Sequence, residues 1–160
     1  MRPRPYQAAA VQGLRRAFVR GGPGSGAFLV APTGSGKTII LAFIIAAAVA
    51  KGGRVLLLVP RREILFQSSA KLRALGVVHG LIAAGVKNPH PGAWVQLAMA
   101  WTMPNRDLPF WPTLVIIDEA HLARARTFAG ILSRWAGPRQ PYLLLDSATP
   151  WRTDGLGFDS

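Results

Sequence analysis

The sequence predicts an α/β domain built on a doubly wound, mostly parallel sheet. Short, continuously apolar segments alternate with longer segments of helical periodicity along most of the chain. Strands that are apolar throughout are typical of parallel sheets, because helices cover both faces of such a sheet. Several of these segments also end in polar, turn-like residues. The carboxyl ends of parallel strands share one edge, and open α/β sheets bind their ligands there.

The predicted elements follow one another in a regular order. Strands are predicted at AFLVAP, RVLLLVP, VVHGLIAAG, AWVQLAMA, LVII and YLLL, which are residues 27–32, 54–60, 77–85, 93–100, 114–117 and 142–145. Helices are predicted at residues 39–50, 61–75 and 121–137. We detect no internal repeat and no low-complexity segment, so the organisation indicates one domain over residues 1–160.

The predicted helices differ in the faces that they bury. The helix at 39–50 is apolar throughout, and we expect it to be buried on most sides; it is too short for a bilayer, which takes about 20 residues. The helix at 61–75 places four apolar residues on one face, namely Ile64, Leu65, Leu72 and Leu75, and Gly76 ends it. For the helix at 121–137, the predicted inward face comprises Leu122, Ala125, Ala129, Leu132 and Ala136.

The charge balance indicates a polyanionic partner. The chain has 19 lysines and arginines against 7 acidic residues, a formal net charge of +12. Such a charge favours nucleic acid or an anionic membrane, although an arginine-rich, solvated surface is an alternative.

There is no cysteine, which excludes disulfides, thiolate zinc sites and cysteine nucleophiles and fits a cytoplasmic protein. The N-terminal segment lacks the apolar stretch of a signal peptide.

The segment APTGSGKT, residues 31–38, lies between a predicted strand and a predicted helix. Gly34 and Gly36 allow backbone amides to approach phosphates, and the helix N-terminus favours an anion. Lys37 is expected to reach the β- and γ-phosphates, and the Thr38 hydroxyl is expected to ligate Mg²⁺. Ala31 stands where the usual pattern has glycine. An ordinary strand-to-helix turn is the alternative interpretation, and the strand and the apolar helix on either side disfavour it.

The segment LVIIDEAH, residues 114–121, carries two carboxylates to the end of an apolar strand. We expect Asp118 and Glu119 to lie at the shared edge and not to be buried in the core. Asp118 is the candidate Mg²⁺ ligand, and Glu119 is the candidate group that orients and deprotonates an attacking water. Two surface carboxylates at a helix start are the alternative, since acidic residues suit a helix N-terminus.

The three segments APTGSGKT, DEAH and SATP resemble, in this order, motifs I, II and III of the superfamily 2 helicases and translocases. Ala at the first position of the loop is common in that superfamily. RPYQ (4–7) resembles its adenine-reading Q motif, VPRREILFQ (59–67) resembles motif Ia, and VQLAMAWTM (95–103) resembles the stretch before a nucleic-acid contact. SATPWRTDGLG is similar to the subgroup of type III restriction helicase subunits and RadD-like bacterial proteins. The resemblance extends from Arg4 to Gly157 and implies the first RecA-like P-loop NTPase domain.

The resemblance implies further site residues. Gln7 would bond the adenine edge, with Arg4 or Tyr6 beside the base, although Gln7 could instead lie on a helix surface. The phosphate loop would comprise Thr33, Gly34, Ser35, Gly36, Lys37 and Thr38. Residues coupling the nucleotide site to the nucleic-acid site would be His121, Ser147 and Thr149; the turn before Pro150 is the alternative role for the last two.

Nucleic-acid contacts are implied at Arg61 and Thr102, with a solvated helix start as the alternative for Arg61. Trp101 departs from the Gln often found at its position. His79 and His90 are expected to be structural or solvated and not catalytic.

The predicted function is therefore ATP binding and hydrolysis with Mg²⁺, coupled to movement on nucleic acid, with DNA favoured over RNA. The alternative is a nucleotide-dependent nucleic-acid-binding module without turnover of its own. A P-loop kinase or transporter ATPase explains neither RPYQ nor SATP. We expect the second RecA-like domain, which supplies the arginine finger in this superfamily, to be absent from these 160 residues and to act in cis or as a partner chain. No membrane partner is expected.

Overall fold

A computed structural model describes residues 2–22, 24–30, 36–100, 102–103, 106–119 and 125–147. The helices within these ranges are α1 (Pro5–Gly21), α2 (Lys37–Ala50), α3 (Arg62–Ala74) and α4 (Ala125–Ser133). The strands are β1 (Gly26–Val30), β2 (Val55–Val59), β3 (Gly80–Ile82), β4 (Val95–Met99), β5 (Leu114–Ile117) and β6 (Tyr142–Ser147). No helix in the described ranges combines the length and apolar composition needed to cross a bilayer.

The strands form one sheet in the order β1-β6-β5-β2-β4-β3, and every strand pair is parallel. The predicted α/β class and parallel sheet are thus confirmed. Because β6 and β5 are inserted between β1 and β2, the segments that follow β1, β6 and β5 become neighbours at the carboxyl edge. They are far apart in sequence, so this order positions the candidate site.

Both faces of the sheet are covered, which explains the continuously apolar strands. In β2 all of the residues are buried: Val55, Leu57 and Val59 face the core under α1, α2 and α3, whereas Leu56 and Leu58 face a second core. The second core contains Ile131 and Trp135 from α4 and the segment after it. Removing apolar area from water on both faces is the main stabilising contribution to such a sheet.

The helix α1 is an element for which the sequence analysis made no prediction. Pro5 occupies its first turn, and Gln7 at the third position accepts a hydrogen bond from the backbone N–H of Arg4 at 2.9 Å. Leu14 is buried, and Val11 and Phe18 pack beside it against the core. Proline at the first helical position and this spacing of apolar residues were the available signals.

Two predicted segments need correction. The strand predicted at 77–85 is confined to Gly80–Ile82, because the residues before it finish α3: the Val77 N–H donates to the Leu72 carbonyl at 2.9 Å. The helix predicted at 121–137 is described from Ala125 to Ser133.

The inward face predicted for this last helix is also wrong. Ala129 and Ala136 are exposed and Leu132 is half-buried, whereas Ile131 and Trp135 are buried. The larger side chains remove more apolar area from water, so they outcompete a face of alanines. Leu122, which belonged to the predicted face, lies outside the described residues.

The other predicted elements agree to within a few residues. The helix α2 is buried on most sides as expected, and only Ala50 in it is exposed. In α3, Leu65 and Leu72 are buried and Ile64 and Leu75 are half-buried.

Candidate functional site

Charged side chains from the ends of β1, β5 and β6 meet at the carboxyl edge of the sheet. Lys37 begins α2, which follows β1. Its Nζ lies 3.1 Å from the Glu119 Oε1, just after β5, and 3.7 Å from the Asp146 Oδ2 in β6. The structure therefore brings Lys37 together with the carboxylate segment that the sequence placed on the same edge.

The carboxylates favour the charged form of Lys37. Burial opposes the positive charge, but Asp146, Glu119 and Asp118 outweigh it, and together they raise the pKa of Lys37 above its ordinary value. The ammonium group is therefore charged at neutral pH and available to an anionic ligand.

Asp118 is buried, and this corrects the expectation that neither carboxylate would be. Its relative exposure is 4 %, although it lies at the predicted edge, and its backbone N–H donates to the Leu58 carbonyl at 2.9 Å. The Oδ1 atom has no hydrogen-bond partner among the described residues. Burial raises the pKa of Asp118, since a carboxylate loses its hydration there.

Asp146 is the residue of this cluster that the sequence analysis missed. It is completely buried, and neither carboxyl oxygen has a hydrogen-bond partner among the described residues. Burial, and then the neighbouring Asp118, raises the pKa of Asp146 to about 9. Asp146 directly follows the predicted strand YLLL, but its proximity to Asp118 depends on the pairing of β5 with β6.

Glu119 has an unusual backbone conformation. Its φ is +53°, and among the described residues Glu119 alone has a positive φ without being a glycine. This left-handed region is uncommon for residues with a Cβ and clusters at functional sites. The conformation turns the chain directly after buried Asp118, and the Glu119 carboxylate meets Lys37 with a side-chain exposure of 22 %.

The residues of RPYQ lie against the start of α2. Gly36 has φ +81°, and a Cβ built on it would come 2.7 Å from the Gln7 Nε2 and 3.2 Å from the Tyr6 Oη. Glycine is therefore required here for its backbone conformation and for the close approach of α1. Gln7 is 3 % exposed, so it does not lie on a helix surface, and Tyr6 and Arg4 are exposed. Adenine recognition by these residues stays a prediction.

The residues predicted for Mg²⁺ have a donor set that fits a hard cation. Thr38 is half-buried in the first turn of α2, and Asp118 offers an unpartnered buried oxygen on the same edge. Hydroxyl and carboxylate oxygens, completed by water and phosphate, are the ligands that Mg²⁺ prefers. The described residues contain no group of three or more His, Asp or Glu side chains that could hold a metal by themselves.

Several predicted site residues lie outside the described ranges, namely Thr33, Gly34, Ser35, His121 and Thr149. Ser147 ends β6, where it pairs in register with Val30 of β1.

The predicted nucleic-acid residues lie on the other half of the same edge. Arg61 is exposed at the start of α3, after β2. Thr102 is half-buried after β4, which pairs with β2. Arg62 donates from Nη1 to the Ala84 carbonyl at 3.1 Å and so links this surface to the segment after β3.

His79 and His90 lie away from the site. His79 is buried beside Ser69, with 2.7 Å between the His79 Nε2 and the Ser69 Oγ, and its Nδ1 lies 2.8 Å from the Val77 carbonyl. His90 is exposed.

Comparison with known proteins supports this arrangement. Residues 1–89 match the family model described as "Type III restriction enzyme, res subunit". A "51.5 kDa protein" of a Lactococcus phage (isolate 7-9) is 36 % identical over 129 residues, which are 79 % of this chain and 25 % of the phage protein. The chain thus spans about a quarter of the length of this relative.

Two solved structures share the fold. The UvsW helicase from bacteriophage T4 superposes with a TM-score of 0.70 at 18 % identity, covering 92 % of this chain and 53 % of that one. The type ISP restriction-modification enzyme LlaGI, solved with a DNA substrate mimic, superposes with a TM-score of 0.68 at 18 % identity. The match covers 94 % of this chain and 18 % of the LlaGI chain. Identity at this level shows the fold alone. The sheet order, the ordered motifs and the match over more than half of its length show that the chain belongs to the family of the type III restriction enzyme res subunit, as a RecA-like superfamily 2 helicase domain.

Proposed function

We propose that this chain is the ATP-binding and ATP-hydrolysing core of a superfamily 2 helicase or translocase. The observation that carries the proposal is the meeting of Lys37, Asp118 and Glu119 at one sheet edge, with Lys37 at the N-terminus of α2. A charged lysine at a helix N-terminus beside an acidic strand end is the arrangement that a nucleotide triphosphate with a divalent cation requires.

Each residue has a distinct role in the proposal. Lys37 binds the β- and γ-phosphates, and the loop from Thr33 to Gly36 donates backbone N–H groups to them. Thr38 and Asp118 hold Mg²⁺, which when bound neutralises charge on the phosphates. Tyr6 and Gln7 are close enough to the start of α2 to form a wall of the adenine site, and Arg4 precedes them at the N-cap of α1.

Hydrolysis requires a rearrangement of Glu119. Its carboxylate is bonded to Lys37 at 3.1 Å and is not free to orient a water. Phosphates that attract Lys37 would release Glu119, which could then deprotonate the attacking water as a general base. Nucleotide binding and base activation are thereby linked through one ion pair.

Nucleic acid is proposed to bind along the half of the edge formed by β2, β4 and β3. Arg61 and Arg62 are exposed there, and the chain has a net charge of +12. The DNA substrate mimic bound by the fold relative LlaGI makes DNA the favoured polyanion.

Turnover is proposed to need a second RecA-like lobe, in cis or as a separate chain. Negative charge that develops on the γ-phosphoryl group in the transition state needs hydrogen-bond donors from its far side. In P-loop systems an arginine finger raises the turnover rate by a factor on the order of 10³–10⁵. The Lys37–Glu119 ion pair favours the second candidate function, a nucleotide-dependent nucleic-acid-binding module without turnover. Phosphate release by the 160-residue chain, measured with and without DNA and the second lobe, separates the two candidates.

Nucleotide titration tests the core of the proposal. Lys37→Ala should weaken the binding of a fluorescent ATP analogue with Mg²⁺, because it removes a charge-assisted contact to the phosphates. Lys51→Ala is the matched control: Lys51 is exposed and caps the opposite end of the same helix. Equal affinities for the wild type and both variants would overturn the assignment.

A further inference from the structure

Asp146 has no role in the functions assigned above, although its environment is costly. The side chain is completely buried, and both oxygens lack a hydrogen-bond partner among the described residues. A buried carboxyl group without donors is destabilising, so such a group is found chiefly where it serves a function. Its cationic neighbour among the described residues is Lys37, at 3.7 Å.

The position of Asp146 is fixed by the sheet. It pairs in register with Leu29 of β1, and β6 lies between β1 and β5. The backbone of Asp146 is therefore held by strand pairing, and its side chain has little room to move because it is completely buried. Glu119, in contrast, lies in a turn after β5, and its side chain is partly exposed.

Lys37 thus has one fixed partner, the carboxyl group of Asp146, and one releasable partner, the carboxylate of Glu119. The contact to Glu119 must break when Glu119 turns to a water molecule, as the proposed function requires. The contact to Asp146 can persist, because Asp146 is completely buried in a strand inside the sheet and has no part in orienting the water.

We propose that Asp146 is a positioning residue that holds the ammonium group of Lys37 at the phosphate site throughout nucleotide binding. The inference rests on the proposed function, since it assigns Lys37 to the phosphates. Asp146 does not touch the nucleotide in this account and acts through Lys37.

A double-mutant cycle tests the proposal with the binding of a fluorescent ATP analogue and Mg²⁺. Asp146→Ala should weaken binding by about tenfold in the wild-type background, which is within the range of coupling between contacting residues. In the Lys37→Ala background the same substitution should have no further effect. Asp107→Asn, at an exposed carboxylate, is the control and should leave the affinity unchanged.

Thermal unfolding separates positioning from a purely structural role. Because the carboxyl oxygens of Asp146 make no hydrogen bond among the described residues, Asp146→Ala should change the melting temperature little while the affinity falls. A structural role would lower both. If the alanine protein fails to fold, Asp146→Asn, which keeps the side-chain shape, replaces it in the cycle with the same expectations.

The outcomes distinguish this inference from the proposed function. Wild-type protein that does not bind the analogue overturns the proposed function and the role of Asp146 with it. Binding that Lys37→Ala weakens but Asp146 substitution does not change overturns the role of Asp146 alone. Equal losses in both backgrounds also overturn it, because Asp146 would then act independently of Lys37.

Discussion

Lys37 and Glu119 form an ion pair whose two members have separate tasks in the proposed reaction. In the described structure each neutralises the other at 3.1 Å. The left-handed backbone of Glu119 directs its side chain towards Lys37 and stores a small amount of strain. The pair therefore represents a resting arrangement that an incoming phosphate would replace.

Glu119→Gln should separate nucleotide binding from hydrolysis. The amide is a weaker partner for Lys37, so we expect the affinity for ATP and Mg²⁺ to be equal to or higher than that of the wild type. DNA-stimulated hydrolysis in the presence of the second lobe should fall by about 10²-fold or more, since a general base is lost. Binding titrations and phosphate release measure the two effects. Affinity that falls as far as in Lys37→Ala would contradict this division of tasks.

His79 is a second buried polar residue, and its role is structural. Its Nδ1–H donates to the Val77 carbonyl, so in the neutral ring Nε2 accepts the hydroxyl proton of Ser69. Burial lowers the pKa of His79 below the ordinary value of 6.5; Arg73 and His90 act in the same direction and the Val77 carbonyl opposes them.

This lowered pKa makes the contribution of His79 to stability dependent on pH. An unfolded chain takes up a proton near pH 6.5, whereas the folded chain resists it, so the contribution is present above that pH and is lost as the pH falls through the lowered folded value. We expect the difference in melting temperature between the wild type and His79→Gln to shrink between about pH 7.5 and about pH 5.5. A difference that stays constant with pH would contradict the prediction.

At the scale of elements, α4 shows how packing selects a helix face. Alanines and leucines at helical spacing suggested one face, but the buried members of the second core are Ile131 and Trp135, and Leu132 packs against them only partly buried. In a short helix, two adjacent faces each contain only a few residues. Burying the face with the larger apolar side chains removes more apolar area from water and stabilises the fold more. For α4, side-chain volume therefore predicts the buried face better than the periodicity of apolar residues does.

Truncation on α4 tests this assignment. Ile131→Ala should lower the free energy of unfolding by about 2–5 kcal/mol, because a fully buried side chain is replaced by a cavity. Leu132→Ala should cost less, since Leu132 is half-buried, and Ala136→Ser should have little effect at its exposed position. Urea unfolding measures all three. A larger cost for Leu132 than for Ile131 would restore the face predicted from the sequence.

For the molecule as a whole, the division of one sheet edge into two halves is the central feature. The half at β1, β6 and β5 carries the cluster around Lys37, and the half at β2, β4 and β3 carries exposed arginines. A net charge of +12 by itself favours any polyanion. The experiment needed is therefore one that distinguishes a localised surface from general attraction.

Salt dependence combined with matched arginine substitutions makes that distinction. We expect oligonucleotide binding to weaken steeply with salt, because counterions are released from the phosphates. Arg61→Ala should reduce the slope of log affinity against log salt by about 0.7 to 0.9, the value for one lost phosphate contact. Arg16→Ala makes the same change of charge on α1 and should leave the slope unchanged. Equal effects of both substitutions would indicate attraction without a defined surface.

The sequence by itself determined the alternation of strands and helices, the parallel sheet, and the edge to which Lys37, Asp118 and Glu119 belong. These properties follow from local patterns: apolar runs form covered strands, and the polar residues after them must lie at a strand end. The phosphate loop and DEAH are likewise recognisable from short segments that contain their own chemistry.

Only the tertiary structure decided which strand ends are neighbours and which side chains are buried there. The insertion of β6 and β5 between β1 and β2 brings Asp146 to Lys37 across more than one hundred residues of sequence. The approach of α1 to Gly36, the burial of Asp118 and the environment of His79 have the same origin. They depend on long-range packing and strand pairing, whose energies are sums over residues distant in the chain, so no local pattern encodes them.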